Sequence, residues 1–168
     1  GMPYWTTDIG GYWGHSLDWS TAENNELFTR WFQYGAFCPI FRIHGGGSRE
    51  LYGDSWSAAT KANLLKFDEL RYRLMPYIYS LAAKVTHEGY TMMRPLVFDW
   101  PTDTEVFDLK DQFMFGPAFL VNPVTAAGVT RRPVYLPAGT WYDFWTGATS
   151  DGGRSIDVDA PLSQLPLF

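Results

Sequence analysis

Pro39-Ile40-Phe41-Arg42-Ile43-His44-Gly45-Gly46-Gly47 reads as a buried strand brought to a stop by three glycines. Its neighbours on either side make it decisive for the fold. Upstream, Ser20 or Thr21 can cap a helix with Glu23 and Glu26 in or near its first turn, and Leu27, Phe28, Trp31, Phe32 and Tyr34 follow near helical spacing up to Gly35. Further upstream, the aromatic and β-branched run Pro3-Tyr4-Trp5-Thr6-Thr7 stops at Asp8-Ile9-Gly10-Gly11 and reads as another buried strand. Downstream, Leu64, Phe67, Leu70, Leu74, Ile78, Leu81 and Val85 form a stripe that predicts a long helix from about Ser57 to His87. Pro76 should kink this helix or start a new segment, because it removes a backbone donor, and Gly89 closes it. Strand, helix, strand, helix is the order of parallel β/α units with helices packed outside the sheet.

After Gly89 the pattern becomes short apolar runs cut by Pro and Gly. Candidate strands are Met92–Phe98, Phe113–Phe115, Ala118–Val121, Arg132–Leu136, Thr140–Asp143 and Ile156–Val158, with turns such as Pro137-Ala138-Gly139 and Asp151-Gly152-Gly153 between them. The expected class is therefore α/β plus all-β, with residues 1–90 as parallel β/α units and 91–168 as an antiparallel β-sandwich domain. Pro166-Leu167-Phe168 carries no stop signal, so both parts are expected to be incomplete pieces of a longer fold.

Composition narrows the functional classes. The chain has 168 residues, 46% of them hydrophobic and 18% charged, which is enough apolar material for a core. A net charge of −5 and dispersed basic residues argue against nucleic acid or an anionic membrane surface as the main partner, since neither offers an acidic protein an electrostatic gain. No run approaches a membrane span and the first residues do not form a secretory signal. The single Cys38 excludes disulfide scaffolds and thiolate zinc sites and reads as a small buried apolar residue; no metal or cofactor is expected.

In β/α architectures, function sits on the loops leaving the carboxyl ends of the strands. Asp8 and His44 stand at such places, and consecutive parallel strands should bring them together on one face. Each also has a structural reading. Asp8 can cap the Ile9-Gly10-Gly11 turn through backbone amides, and His44 can be a ring satisfied by a nearby carbonyl, a better fit than metal ligation with no second His close in sequence. Gly45-Gly46-Gly47 lacks the spacing and the following Lys of a phosphate loop.

Ordered blocks across nearly the whole chain carry a family resemblance. Trp5-Thr6-Thr7-Asp8-Ile9-Gly10-Gly11-Tyr12, Arg30-Trp31-Phe32-Gln33-Tyr34-Gly35-Ala36-Phe37, Phe41-Arg42-Ile43-His44-Gly45, Arg71-Tyr72-Arg73-Leu74-Met75-Pro76-Tyr77-Ile78-Tyr79, Met93-Arg94-Pro95-Leu96, Asp111-Gln112-Phe113-Met114-Phe115-Gly116 and Tyr135-Leu136-Pro137-Ala138-Gly139-Thr140-Trp141-Tyr142-Asp143 together resemble glycoside hydrolase family 31. The resemblance implies a retaining α-glycosidase built on a (β/α)8 TIM barrel followed by β-sandwich domains. This chain would supply the C-terminal two β/α units and most of the first β domain.

Retaining glycosidases need two carboxyl groups about 5–5.5 Å apart. The resemblance places both on earlier barrel strands, and Asp8 matches neither motif, so no catalytic residue is assigned and the stretch alone is expected to be inactive. What it implies for this chain is substrate binding. His44 would hydrogen-bond the sugar at the cleavage subsite, Asp8 would line the same pocket and fix an arginine from an earlier strand, and Tyr12, where the family usually has Phe, would form an apolar wall. Trp5 is a further candidate to face sugar.

Glu50-Leu51-Tyr52-Gly53-Asp54 and Lys61-Ala62-Asn63-Leu64-Leu65-Lys66 resemble the branch that includes α-xylosidases acting on xyloglucan fragments, which favours an α-xyloside over an α-glucoside. The expected partner is an oligosaccharide substrate. A polysaccharide-degrading enzyme would suit a periplasmic or secreted setting. The rival reading is a non-catalytic carbohydrate-binding or structural module, with the aromatics as a sugar platform; their scatter through predicted core elements counts against it.

Overall fold

The computed structural model describes residues 2–47 and 49–168. Its first part is carried by α1 (Ala22–Gly35), α2 (Ala58–Arg73) and α3 (Met75–Glu88). Thr21 caps α1 by accepting from the Asn24 amide at 3.2 Å, and Ser57 caps α2 by accepting from Thr60 at 3.1 Å. The two caps are tied by buried Asn25, whose Nδ2 donates to the Trp19 and Thr21 carbonyls while its Oδ1 accepts from the Ser57 amide and the Thr60 hydroxyl. The long helical stripe resolves into two helices, not one kinked rod. Pro76 falls in the first turn of α3, where its missing N–H would have been unpaired in any case. Gly89, at φ 66°, closes α3 in the left-handed conformation.

The two expected strands form no ladder; each begins in a bend, at Pro3-Tyr4 and at Pro39-Ile40. They run parallel and meet at the Ile9–Ile43 bridge and at a 3.0 Å bond from the Ile40 amide to the Trp5 carbonyl. Tyr4, Trp5 and Ile40 are also 45%, 45% and 46% exposed, against the expectation of burial. The physical reason is that strands of a parallel sheet draw hydrogen bonds and cover from neighbours on both sides, and among the described residues each segment has only the other.

Residues 93–159 hold seven short strands: β1 (Met93–Pro95), β2 (Phe113–Phe115), β3 (Phe119–Val121), β4 (Arg131–Leu136), β5 (Thr140–Tyr142), β6 (Thr149–Asp151) and β7 (Arg154–Asp159). All pairings are antiparallel: β1-β2-β3, β4-β7 and β5-β6. The chain then returns along β3, with Phe168 and Leu120 exchanging both backbone bonds at 2.9 and 3.1 Å. Alternation along β2 and β3 sorts their side chains between two cores. Phe115 and Val121 join the large core beneath the helices, while Met114 and Leu120 join a second core with Val134, Leu136 and Phe168. The β1-β2-β3 sheet is thus the middle layer of the molecule.

Helices and β layers are also stitched by a run of backbone carbonyls. Arg30, on α1, donates to the carbonyls of Val129, Ala160, Pro161 and Gln164; Gln33 donates to Leu162 at 2.7 Å, and Lys66 of α2 to Ser163 at 2.7 Å. Five successive carbonyls, 160 to 164, therefore end on helix side chains. Such groups would be costly to bury unpaired.

Candidate functional site

The site is built from two loops. The first leaves Ile9 through the Gly10-Gly11 turn, where the Gly11 amide bonds back to the Asp8 carbonyl at 2.7 Å and both glycines have positive φ. The second leaves Ile43 through Gly45, Gly46 and Gly47. Ile9 is fully buried, so the residues flanking the Ile9–Ile43 bridge turn to the opposite side. That alternation puts Asp8, Arg42 and His44 on the face away from the helical core.

The Asp8 carboxylate is held by an arginine. Its Oδ1 accepts from Arg42 Nη2 at 2.8 Å, in a pair with both side chains part-exposed. Such a pair contributes about 0–1 kcal/mol to stability, so its value here is orientation of the carboxylate. His44 stands beside Tyr12, ring centroids 5.5 Å apart and planes inclined at 45°, and Tyr12 meets Trp13 edge-on at 5.0 Å. Tyr12 is half exposed and Trp5 nearly so. His44 lines a cleft of about 310 Å³ with Ile43, Gly45, Gly47, Arg49 and Glu50; Asp8 and Tyr12 are not part of its lining. The structure therefore brings Tyr12 to His44 and Asp8 to Arg42, and of these four only His44 lines the cleft.

Sequence reasoning missed Arg49. It lies outside the helical stripes and strands, and its carbonyl partners become neighbours only on folding. Its side chain is buried among the two loops, with Nη1 donating to the carbonyls of Ile9 at 3.1 Å and His44 at 3.5 Å and Nη2 to Gly46 at 2.9 Å. Burial pushes the guanidinium below its usual range, and the Asp8 charge opposes that. Trp19 lies 5.5 Å from Arg49 Cζ and donates its indole N–H to the Gly14 carbonyl at 2.9 Å. The retrospective signal is glycine: a Cβ at Gly10 or Gly45 would come within 2.6 or 2.5 Å of the guanidinium. Among the described residues no group of three or more His, Cys, Asp or Glu could hold a metal ion, and no helix is long and apolar enough to cross a membrane.

A part-exposed carboxylate held by an arginine, an imidazole on a cleft and an adjoining aromatic ring are groups of the kind that can bind a sugar: planar polar groups for hydroxyls and a ring for the apolar face. Residues 1–81 match the profile described as glycosyl hydrolases family 31 TIM-barrel domain, and residues 89–168 that of the glycosyl hydrolase family 31 C-terminal domain. Over its full length the chain is 46% identical to an α-xylosidase of Saccharolobus solfataricus, covering 23% of that protein, and 37% identical to α-glucosidase 2 of Bacillus thermoamyloliquefaciens, covering 21%. A solved family 31 α-xylosidase from a soil metagenome, complexed with xylose, superposes with a TM-score of 0.88 at 40% identity, over 98% of this chain and 27% of that one. The chain thus spans roughly a quarter of the length of these relatives.

Proposed function

The chain belongs to glycoside hydrolase family 31, comprising the C-terminal part of its TIM barrel and its C-terminal β domain, and we propose that it forms one wall of the sugar pocket of a retaining α-glycosidase whose preferred substrate is an α-xyloside, as in xyloglucan oligosaccharides. The observation that carries this reading is His44, on the cleft, paired with the exposed ring of Tyr12; Asp8, held by Arg42, lies outside the cleft's lining. His44 donates to hydroxyls of the sugar at the cleavage subsite, Tyr12 covers an apolar face of the ring, and Asp8, oriented by Arg42, accepts at the pocket's edge. Hydroxyl contacts that tighten as the ring approaches its oxocarbenium-like transition state lower the barrier.

The nucleophile and the acid/base are assigned to the rest of the full-length enzyme, so the 168-residue chain alone is proposed to be inactive. The preference for xyloside rests on similarity to α-xylosidases; the α-glucosidase relative at 37% identity supports the glucoside alternative.

The test is His44→Ala in the full-length enzyme. Losing a transition-state hydrogen bond of about 1.5–3 kcal/mol should lower kcat/KM by one or more powers of ten. An unchanged kcat/KM would return His44 to a packing role.

A further inference from the structure

We infer that Arg49, held against Trp19, is a positioning residue for sugar recognition: its guanidinium is the strut that sets the Asp8–Tyr12 loop and the His44 loop at their working separation. The inference rests on the pocket reading above. It concerns a residue that holds the two loops by their backbone carbonyls, that of His44 included.

The two loops have few means of their own to hold register. Their backbones meet at the Ile9–Ile43 bridge and at a 3.0 Å bond from the Gly46 amide to the Tyr12 carbonyl. Arg49 adds bonds to Ile9 on one loop and to His44 and Gly46 on the other. Two of these carbonyls sit beside functional positions: Ile9 follows Asp8, and His44 bears the imidazole itself. The guanidinium is suited to this because its donors are fixed in one plane, so fixing one contact fixes the direction of the others.

The surrounding residues are shaped to admit it. Gly10, at φ 85°, and Gly45, at φ 142°, leave the space that a side chain would take, and a Cβ at Gly45 would also strike the carbonyls of Gly11 and Tyr12 at 2.7 and 2.6 Å. Gly14 completes the seat, since its Cβ would lie 2.9 Å from the Trp19 ring and 3.5 Å from Arg49 Cζ. Trp19 in turn ties Gly14 to the buried Phe28 and Trp56, with centroids 5.5 and 5.8 Å away. The strut is thereby anchored in the aromatic core under α1, and a core contact is transmitted to the pocket.

The experiment uses Arg49→Lys in the full-length enzyme, with His44→Ala beside it, reading kcat, KM and thermal midpoint on p-nitrophenyl α-xyloside. A lysine keeps the charge but cannot span both loops in one plane. Misplacement of the pocket groups should then lower kcat about 10- to 100-fold, while KM moves by less than about threefold because the sugar ligands remain. A folded Arg49→Lys enzyme with a lowered midpoint and unchanged kcat overturns the inference and leaves Arg49 a stabilising residue. If that variant does not fold, Trp19→Phe decides: it keeps the ring and loses the bond to Gly14, so a kcat drop in the same direction supports the strut and an unchanged kcat overturns it. If His44→Ala itself leaves kcat/KM unchanged, the pocket reading falls and this inference with it, whereas a His44 effect without an Arg49 or Trp19 effect removes the inference alone.

Discussion

Cys38 is fully buried where α1 gives way to the 39–44 segment, with its thiol near the Tyr34 carbonyl. Burial pushes this thiol up to about 11 and, together with the neighbouring thiol, pushes Tyr34 up to about 12. Each raised acid keeps its proton in the folded state while its unfolded counterpart has lost it. The unfolded chain then binds fewer protons, so stability falls as pH rises from about 9 toward 11 for Cys38, and in a higher window for Tyr34. Below pH 8 neither group contributes a slope. Thermal midpoints of the full-length enzyme between pH 8 and 10.5 should therefore drop, and Cys38→Ala should make that drop smaller by the equivalent of about 1–3 kcal/mol. Parallel curves for the two proteins would show that Cys38 is not the titrating group. The role read for Cys38 from composition, a small apolar residue, is the one its burial gives it.

At the scale of elements, the carbonyl run at 160 to 164 joins the helices to the β layers. Arg30 is 7% exposed, and burial lowers its pKa while Glu26 opposes the shift. Arg30→Met should preserve much of the packing volume but leave the Ala160, Pro161, Gln164 and Val129 carbonyls without this donor. A loss of about 2–4 kcal/mol is expected in denaturant unfolding, and a loss under 0.5 kcal/mol would mean that water replaces the guanidinium freely. Helices were the legible elements: a cap at Ser20 or Thr21, a start near Ser57, the interruption at Pro76 and the Gly89 stop are local chemistry and appear in the residues themselves. Strands were less so. Met92–Phe98 reads as one apolar run, yet Pro95 ends β1 and Leu96–Phe98 coils into a 3-10 turn. β6, Thr149-Ser150-Asp151, has no apolar residue and forms only because it pairs with Thr140–Tyr142. The Pro3–Thr7 and Pro39–His44 runs have strand composition, but composition does not supply neighbours. In the site, Asp8 and His44 were visible as loop residues after apolar runs, and the wall role of Tyr12 came from family resemblance. Arg49 was not visible, because a buried arginine earns its place from carbonyls brought together by folding.

For the whole molecule, packing and the carbonyl run join the β layers to the helices, and Asp8, Tyr12, His44 and Arg49 all lie within residues 1–81, which match the TIM-barrel domain. Phe37, just past the end of α1, meets Phe115 and Phe119 of the β1-β2-β3 sheet at 5.9 and 6.0 Å, so the helical part and the sheet pack directly on each other there. Substrate preference is the claim with the widest reach. The most direct measurement is kcat/KM of the full-length enzyme on p-nitrophenyl α-xyloside and p-nitrophenyl α-glucoside under identical conditions. The account predicts a preference for the xyloside of at least about tenfold, equivalent to about 1.4 kcal/mol of transition-state discrimination; a strong preference for the glucoside would contradict it.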